Sequence, residues 1–336
     1  MQVGIGLVGR YEPDELRALV GFIEDAGFTS LWVADERLYR NVYVTLTLAA
    51  LSSRTLRLGT GVTNPFTRHP ALTAAAIATV DEVSGGRVVL GLGAGGSATA
   101  VLGLPRVRPA QALREAVHII HELTAGASLD FRGQVFSFTG RLDFTPPRRV
   151  PVYVAARGPR SLEAAGEVGD GVIIGGLVGD RGLRFCLEGV VRGARRAGRD
   201  PADVRKVAWI YAACAEDPEA AADAVRHVVA LSVIASRPVI DRFELPLSPA
   251  LRGYLDERGW LLRPDVIAGA ASLMDAPLLE EFAIAGPAAA CGRKLGAVAA
   301  AGVDEFALLV QPVRGQTFRD AVAAFAGLLR AEGYLA

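Results

Sequence analysis

The sequence contains little lysine, cysteine or histidine and has no excess of either charge. Lysine occurs only at Lys206 and Lys294, so arginine carries nearly all of the positive charge. Lysine plus arginine and aspartate plus glutamate both number 36, which gives a formal net charge of zero. A chain balanced in this way does not attract nucleic acid or an anionic membrane through bulk charge. An anionic small ligand is still compatible with it, because arginines can bind phosphate or carboxylate locally.

The cysteines are too few and too far apart for a disulfide framework or a zinc site. Cys186, Cys214 and Cys291 are isolated in the sequence, with neither a CxxC motif nor a Cys/His cluster. His118 and His121 are three residues apart on a predicted helix, where a surface or core pair is expected rather than a pair of metal ligands. We therefore expect no metal. Isolated thiols also suit a reducing compartment, and we expect a cytoplasmic protein.

Long apolar runs are also absent. The chain starts directly with a predicted strand and lacks the basic and apolar segments of a signal peptide, so none is expected. Charged residues interrupt the alanine-rich helices, so we expect no membrane span. Hydrophobic residues make up 51% and charged residues 21% of the chain, which is typical of a globular domain.

Strand and helix patterns alternate along most of the chain. Continuous apolar strands predict a parallel sheet covered on both faces. The predicted strands span 3–8, 29–34, 56–61, 87–92, 152–155, 171–174, 204–214 and 305–310. The predicted helices span 13–26, 42–52, 70–83, 109–125, 160–168, 183–197, 219–234, 288–301 and 318–332.

Two segments interrupt this alternation and are interpreted as insertions into one domain, residues 1–336. Residues 127–149 have a short alternating pattern, glycine turns and a Pro-Pro stop, which predict a small hairpin. Residues 236–276 are irregular and punctuated by proline, and we expect them to be partly helical and to cover one end of a barrel. A closed α/β (β/α)8 (TIM) barrel fits the count of eight strands best, with an open doubly wound sheet as the alternative.

Glycine-rich turns follow two consecutive predicted strands. In Leu58–Asn64 (LGTGVTN), Gly61 would let a flat ligand approach the backbone, although a simple turn explains it equally. In Gly91–Ser97 (GLGAGGS), exposed amides could hold a phosphate. The second turn also matches G-x-G-x-x-G, but no acidic residue follows at the expected distance, so it is weak evidence for a dinucleotide.

Charged residues follow two other predicted strands. Ala155–Ser161 (AARGPRS) opens a helix and carries two arginines, which is typical of an anion site and also of an ordinary loop. Asp35, Glu36 and Arg37 follow the second strand, where two carboxylates could take part in proton transfer or form a salt-bridge cluster. His69 precedes Pro70, and we expect it to have a structural role.

Taken together, these segments resemble the luciferase-like superfamily of barrel enzymes. Within that superfamily they are most similar to the coenzyme F420-dependent methylenetetrahydromethanopterin reductases. The likeness implies a single luciferase-like barrel, coenzyme F420 and a homodimer acting on a small molecule. The matching segments are Arg40–Ala50 (RNVYVTLTLAA), Leu58–Gly95 (LGTGVTNPFTRHPALTAAAIATVDEVSGGRVVLGLGAG), Val152–Ile173 (VYVAARGPRSLEAAGEVGDGVI) and Phe282–Leu308 (FAIAGPAAACGRKLGAVAAAGVDEFAL).

The resemblance also implies roles for individual residues. The Gly61–Val62 peptide matches the position of a cis bond behind the deazaflavin ring, with Asp35 close to that ring. Asp35 and Glu36 are the candidate catalytic pair. The other residues implied in cofactor binding are Thr63 and Asn64 at the ring edge, and Gly93, Ala94, Gly95, Gly96, Ser97, Ala98, Arg157, Gly158, Pro159 and Arg160 at the charged tail.

The sequence departs from the family pattern at two positions. Many relatives have Asp-His where this chain has Asp35-Glu36, and methanogen reductases tend to have an acidic residue where this chain has Gly6. The coenzyme therefore carries over better than the methanopterin substrate. We expect hydride transfer between the deazaflavin and an imine, iminium or activated C=C carbon. The alternatives are an FMN-dependent monooxygenase, a flavin-free methylenetetrahydrofolate reductase using NAD(P)H, and a cofactor-less binding protein.

Overall fold

The computed structural model describes residues 1–36, 38–243 and 245–336, and for residues 97, 98, 238 and 243 it describes the backbone alone. The strands are β1 (Gln2–Val8), β2 (Ser30–Ala34), β3 (Arg57–Thr60), β4 (Val88–Gly93), β5 (Leu129–Arg132), β6 (Ser137–Gly140), β7 (Val152–Ala156), β8 (Gly171–Gly175), β9 (Arg205–Cys214), β10 (Ala283–Gly286) and β11 (Glu305–Val310). The helices are α1 (Pro13–Asp25), α2 (Val42–Ser52), α3 (Pro70–Ser84), α4 (Ser97–Val101), α5 (Pro109–Thr124), α6 (Pro159–Val168), α7 (Asp180–Arg196), α8 (Pro218–Ala235), α9 (Arg237–Phe243), α10 (Pro249–Glu257), α11 (Pro264–Ser272), α12 (Ala276–Phe282), α13 (Ala288–Ala300) and α14 (Phe318–Ala331).

The larger sheet has the topology of a parallel (β/α)8 barrel. Its strand order is β10-β9-β11-β1-β2-β3-β4-β7-β8, and β8 also pairs with β9. The pairs β1–β2, β2–β3, β3–β4 and β4–β7 are all parallel, as continuous apolar strands predict. The predicted barrel is therefore confirmed, and α2 and β11 have the predicted bounds.

By its internal contacts the chain divides into two compact units, which are described separately. The first unit comprises residues 4–173 and 188–205, and the second comprises residues 1–3, 174–187 and 206–336. All candidate site residues of the sequence analysis lie in the first unit.

In the first unit the predicted hairpin is present as the antiparallel pair β5–β6. Its turn is attached to α5 through Glu115, whose carboxylate accepts hydrogen bonds from the backbone amides of Gln134, Val135 and Phe136. A Cβ at Gly133 would lie 2.3 Å from Oε2 of Glu115, so only glycine allows this close approach. The hairpin is therefore fixed by a charged side chain rather than by a core of its own.

A buried carboxylate sets the start of β4 in the same unit. Asp81 of α3 is fully buried and accepts a hydrogen bond from the amide of Val88. Arg148 donates to both oxygens of Asp81 and to the carbonyl of Val88. The strand that leads into the second glycine turn therefore begins at a position fixed by an ion pair.

The second unit differs from the sequence prediction in two places. β10 was not predicted, because its four residues (AIAG) are too short to show a strand pattern, yet they pair in parallel with β9. Residues 236–276, expected to be irregular and only partly helical, form α9, α10 and α11, and α12 begins at the end of the segment. Proline stands within the first two positions of α10, α11 and α12, so the prolines that suggested irregularity in fact start helices.

None of the helices in the described residues is both long enough and apolar enough to span a membrane.

Candidate functional site

The site residues lie on consecutive strands at their carboxyl ends. Asp35 directly follows β2, and Thr63 follows β3. The hydroxyl of Thr63 donates a hydrogen bond of 2.6 Å to Oδ2 of Asp35. Thr63 is almost fully buried, whereas Asp35 is half-buried. The hydrogen bond from Thr63 therefore fixes the Asp35 carboxylate while part of Asp35 remains exposed. Two residues that are 28 positions apart in the sequence are thereby brought together.

The segment that carries Thr63 is attached to strands on both sides. The Gly61–Val62 peptide is cis, as the resemblance implies. The amide of Gly61 donates to the carbonyl of Val33 in β2 at 2.7 Å. On the other side, the amide of Thr63 donates to Gly91 at 3.0 Å, and the amide of Gly93 donates to Thr63 at 2.8 Å. Thr63 therefore continues the sheet as an isolated bridge to β4.

Two glycines of the second turn make room for the first turn. A Cβ at Gly93 would lie 2.7 Å from Cγ2 of Val62, and one at Gly91 would lie 3.1 Å from Cγ1. The Gly91 Cβ would also lie 2.0 Å from the carbonyl oxygen of Thr60. Packing against Val62 and the Thr60 carbonyl therefore explains two of the three glycines of the G-x-G-x-x-G motif, without any dinucleotide.

The second turn is open at Gly96 but not at Gly95, where a Cβ would lie 2.8 Å from Cγ2 of Thr99. A Cβ at Gly96 would meet nothing within 4 Å, whereas Gly95 has a φ of 78° and its carbonyl accepts a bond from Arg106. The sequence analysis treated Gly93–Ala98 as one loop, but Ser97 and Ala98 are the first residues of the short helix α4. The phosphate-binding loop proposed from the sequence thus consists of Ala94, Gly95 and Gly96 followed by a helical turn.

The loop after β7 lies beside this turn, because Gly93 and Ala155 are partners in the β4–β7 pair. Gly158 is the N-cap residue of α6 and provides no side-chain cap, and a Cβ there would meet nothing within 4 Å. Pro159 follows it in the first turn of α6. Arg160 is exposed, whereas Arg157 is half-buried and has contacts of its own. An uncapped helix N-terminus flanked by arginines is suited to an anion.

Two other predicted residues have more local roles in the structure. Asn64 is buried, and its Oδ1 accepts hydrogen bonds from the amides of Phe66 and Thr67, both at 3.0 Å. It therefore shapes the β3–α3 loop. Glu36 is half-buried beside Asp35. Arg37, predicted in the same cluster, lies outside the described residues.

His69 has the structural role that was expected. Its Nδ1 accepts from the amide of Ala71 at 3.2 Å and caps α3, and its ring meets Phe136 of the hairpin edge-on at 5.7 Å. A cavity of about 390 Å³ lies beside it. The cavity is lined by Pro65, Phe66, His69, Val107, Gln134, Val135 and Phe136.

Tyr43 is a buried residue near the site that the sequence did not suggest. This residue of α2 is only 7% exposed, and its hydroxyl makes no hydrogen bond within the described residues. Burial raises the pKa of the Tyr43 phenol and Asp35 adds to this, whereas Thr63, Thr73 and Arg68 oppose it. A tyrosine inside an apolar helix normally indicates core, so its sequence gives no signal that the hydroxyl faces the Asp35–Thr63 pair.

Within the described part of the chain, no cluster of histidine, cysteine, aspartate and glutamate is suitable for a metal ion. The chemistry available at the strand ends is therefore that of two carboxylates, buried hydroxyls, backbone amides and arginines.

Comparisons with known proteins agree with the fold and show the family of the chain. A family model described as luciferase-like monooxygenase matches residues 2–305. The chain is 39% identical to the 5,10-methylenetetrahydromethanopterin reductase of Archaeoglobus fulgidus over 71% of this chain and 72% of that protein. It is 36% identical to an F420-dependent hydroxymycolic acid dehydrogenase of Mycobacterium tuberculosis over 65% of both chains. It superposes with a TM-score of 0.83 on the coenzyme F420-dependent tetrahydromethanopterin reductase of Methanopyrus kandleri, at 27% identity over 97% of both chains.

We predict opposite results for two alanine substitutions in the second turn. Gly93→Ala places a methyl group against Val62 and should lower the free energy of unfolding by about 1–3 kcal/mol. Gly96→Ala is the matched control, because its methyl group enters open space, and it should leave the midpoint of urea denaturation unchanged or slightly raised. Equal midpoints for the two variants would show that Val62 does not require a glycine at position 93.

Proposed function

Because the chain belongs to the luciferase-like monooxygenase family, we propose that it is an oxidoreductase that uses coenzyme F420. Hydride would pass between the deazaflavin and an imine, iminium or activated C=C carbon of a small molecule. The observation that carries the proposal is the hydrogen-bonded pair of Asp35 and Thr63 beside the Gly61–Val62 peptide. Its support is the likeness to proteins named as F420-dependent reductases and dehydrogenases.

The residues present fit such a coenzyme. Its flat ring would lie against the Gly61–Thr63 segment, and its charged tail would lie along the loops after β4 and β7. Gly96 and Gly158 leave open space there, and α6 presents an N-terminus without a side-chain cap between Arg157 and Arg160. Backbone amides and guanidinium groups are the donors that phosphate and carboxylate groups require. When bound, the coenzyme supplies the carbon that gives or accepts the hydride.

The protein's own contribution is to orient the coenzyme and the substrate and to hold the transferred proton. Thr63 donates to Asp35 and fixes the carboxylate, so that its other oxygen can accept a hydrogen bond from the ring side. The family resemblance implies a histidine at the position of Glu36. We propose that its carboxyl group holds the proton that the substrate gains or loses, or stabilises a positive charge on the substrate.

Direct titration tests the choice of coenzyme. We expect F420 to bind at least about tenfold more tightly than FMN or NADH, because the anionic tail is held by charge-assisted hydrogen bonds. Arg160→Ala should weaken F420 binding by about tenfold, whereas the exposed Arg195→Ala on α7 serves as the control and should bind normally. Fluorescence titration measures both constants. Tight binding of FMN without F420 would replace the proposal with a monooxygenase, and no binding at all would favour a cofactor-less protein.

Measurements of kcat and of F420 affinity distinguish the proposed roles of Asp35 and Glu36. A screen of reduced F420 with folate derivatives, pterin derivatives and cyclic imines supplies the substrate. With it, Glu36→Gln should lower kcat by about 10²–10⁴-fold and leave F420 affinity intact, because proton transfer rather than binding is lost. Asp35→Asn should instead weaken F420 binding. Glu188→Gln, an exposed change on α7, is the control. Full activity of Glu36→Gln would remove Glu36 from the mechanism.

We also propose that the protein is cytoplasmic. Cys186, Cys214 and Cys291 are all free thiols, which is what a reducing compartment maintains.

We also propose that the protein is a homodimer, formed through α2 and α3. Helix α2 has no charged residue, yet Val44 and Leu51 on it are exposed, as are Leu72 and Val83 on the adjacent α3. Apolar residues that cluster on a surface usually mark an interface. The surface of α2 carries no charge and is complementary to a second copy of itself, which a two-fold dimer requires.

Sedimentation tests the dimer. Leu51 is 70% exposed, so Leu51→Glu should leave the fold intact and shift the protein from dimer to monomer, because a charge would be buried in the interface. Leu261→Glu is the matched control, since Leu261 is also an exposed leucine (49%) but belongs to neither α2 nor α3, and it should remain dimeric. A wild-type monomer, or a dimeric Leu51→Glu variant, would contradict this interface.

A further inference from the structure

Two of the three cysteines lie together in the second unit. Cys214 is the half-buried last residue of β9, and Cys291 is buried one turn into α13. Strand β10 pairs with β9 so that Gly286 is the partner of Cys214. The thiol of Cys291 donates to the carbonyl of Gly286 at 3.4 Å and lies 3.7 Å from the carbonyl oxygen of Ala213, the neighbour of Cys214. The thiol of Cys291 therefore contacts both the residue that precedes Cys214 and the strand partner of Cys214.

We propose that Cys214 and Cys291 form a redox-active thiol pair that a hydroperoxide converts to an intramolecular disulfide. The Cys214 thiolate attacks the peroxide, the O–O bond breaks, and a sulfenic acid forms while water or an alcohol leaves. The sulfur of Cys291 then attacks the sulfur of Cys214. The S–S bond forms, the S–O bond breaks, and the hydroxyl group leaves as water with the proton of Cys291. The two thiols together lose two electrons and two protons, and the peroxide gains them.

The surroundings of the pair make the two thiols unequal. The hydrogen bond from Cys291 lowers the pKa of Cys214 to about 7, although burial and the charge of Glu216 act to raise it. The same bond and burial raise the pKa of Cys291, against the opposing charge of Lys294. Near neutral pH, Cys214 is thus the accessible thiolate that reacts first, and Cys291 is the thiol that resolves the product.

Alkylation of the whole, fully reduced protein tests the first step. Iodoacetamide should label Cys214 at least about tenfold faster than Cys291 at pH 7, and the rate at Cys214 should rise with a midpoint near pH 7. Cys186 is the internal control, because it is fully buried in α7 and should be labelled slowly at every pH. Equal rates at Cys214 and Cys186 would overturn the proposal.

Peroxide treatment tests the second step. Hydrogen peroxide should give a Cys214–Cys291 disulfide in the peptide map, which dithiothreitol reverses, in the wild type and in Cys186→Ser alike. In Cys291→Ser, Cys214 should stop at a sulfenic acid that dimedone traps. Peroxide that leaves both thiols free to alkylate, or that links only different chains, would overturn the proposal. The wild-type peptide map gives this answer even if Cys291→Ser does not fold, and F420 binding has no part in it.

Discussion

The packing of Val62 against Gly91 and Gly93 is the constraint on which the rest of the site depends. A Cβ at position 93 would press on Val62, and one at position 91 would clash with the carbonyl oxygen of Thr60, so the two glycines let the Gly61–Thr63 segment lie between β2 and β4 without strain. Because it does lie there, its amides and carbonyls complete hydrogen bonds to both strands. Thr63 is then presented to Asp35 at hydrogen-bond distance. A steric fit between two glycine turns thereby sets the position of a carboxylate that belongs to neither.

The glycines of the second turn consequently have two different functions. Gly91 and Gly93 lie within β4 and are required by packing, whereas Gly96 and Gly158 lie in loops where nothing prevents a side chain. Packing does not explain why glycine occurs at positions 96 and 158, whereas the space that a bound ligand needs would explain it. Because β4 and β7 are parallel neighbours, Gly96 and Gly158 both lie beyond the carboxyl ends of these strands. A single long, anionic molecule could contact both loops.

The sequence predicted the strands and helices of the barrel well, because apolar periodicity and helix-starting prolines are local signals. Contacts between distant segments were predictable only through family resemblance. Nothing local indicates that Thr63 bonds Asp35, or that the hydroxyl of Tyr43 lies buried beside them. β10 escaped prediction for a related reason, since four small residues form a strand only because β9 offers them a partner.

The two carboxyl groups at the end of β2 suit a substrate that is positively charged when it accepts the hydride. Asp35 receives its hydrogen bond from the neutral hydroxyl of Thr63, which orients the carboxylate without cancelling its charge. Glu36 adds a second carboxyl group beside it, where a histidine would have supplied a cation or a neutral ring. Adjacent carboxylates stabilise a cation and oppose the build-up of negative charge. An iminium carbon accepts hydride from a cationic state, whereas a ketone accepts it by forming an alkoxide. The Asp35-Glu36 pair is therefore compatible with the iminium substrate that we propose, whereas reduction of a ketone would build up negative charge beside two carboxyl groups.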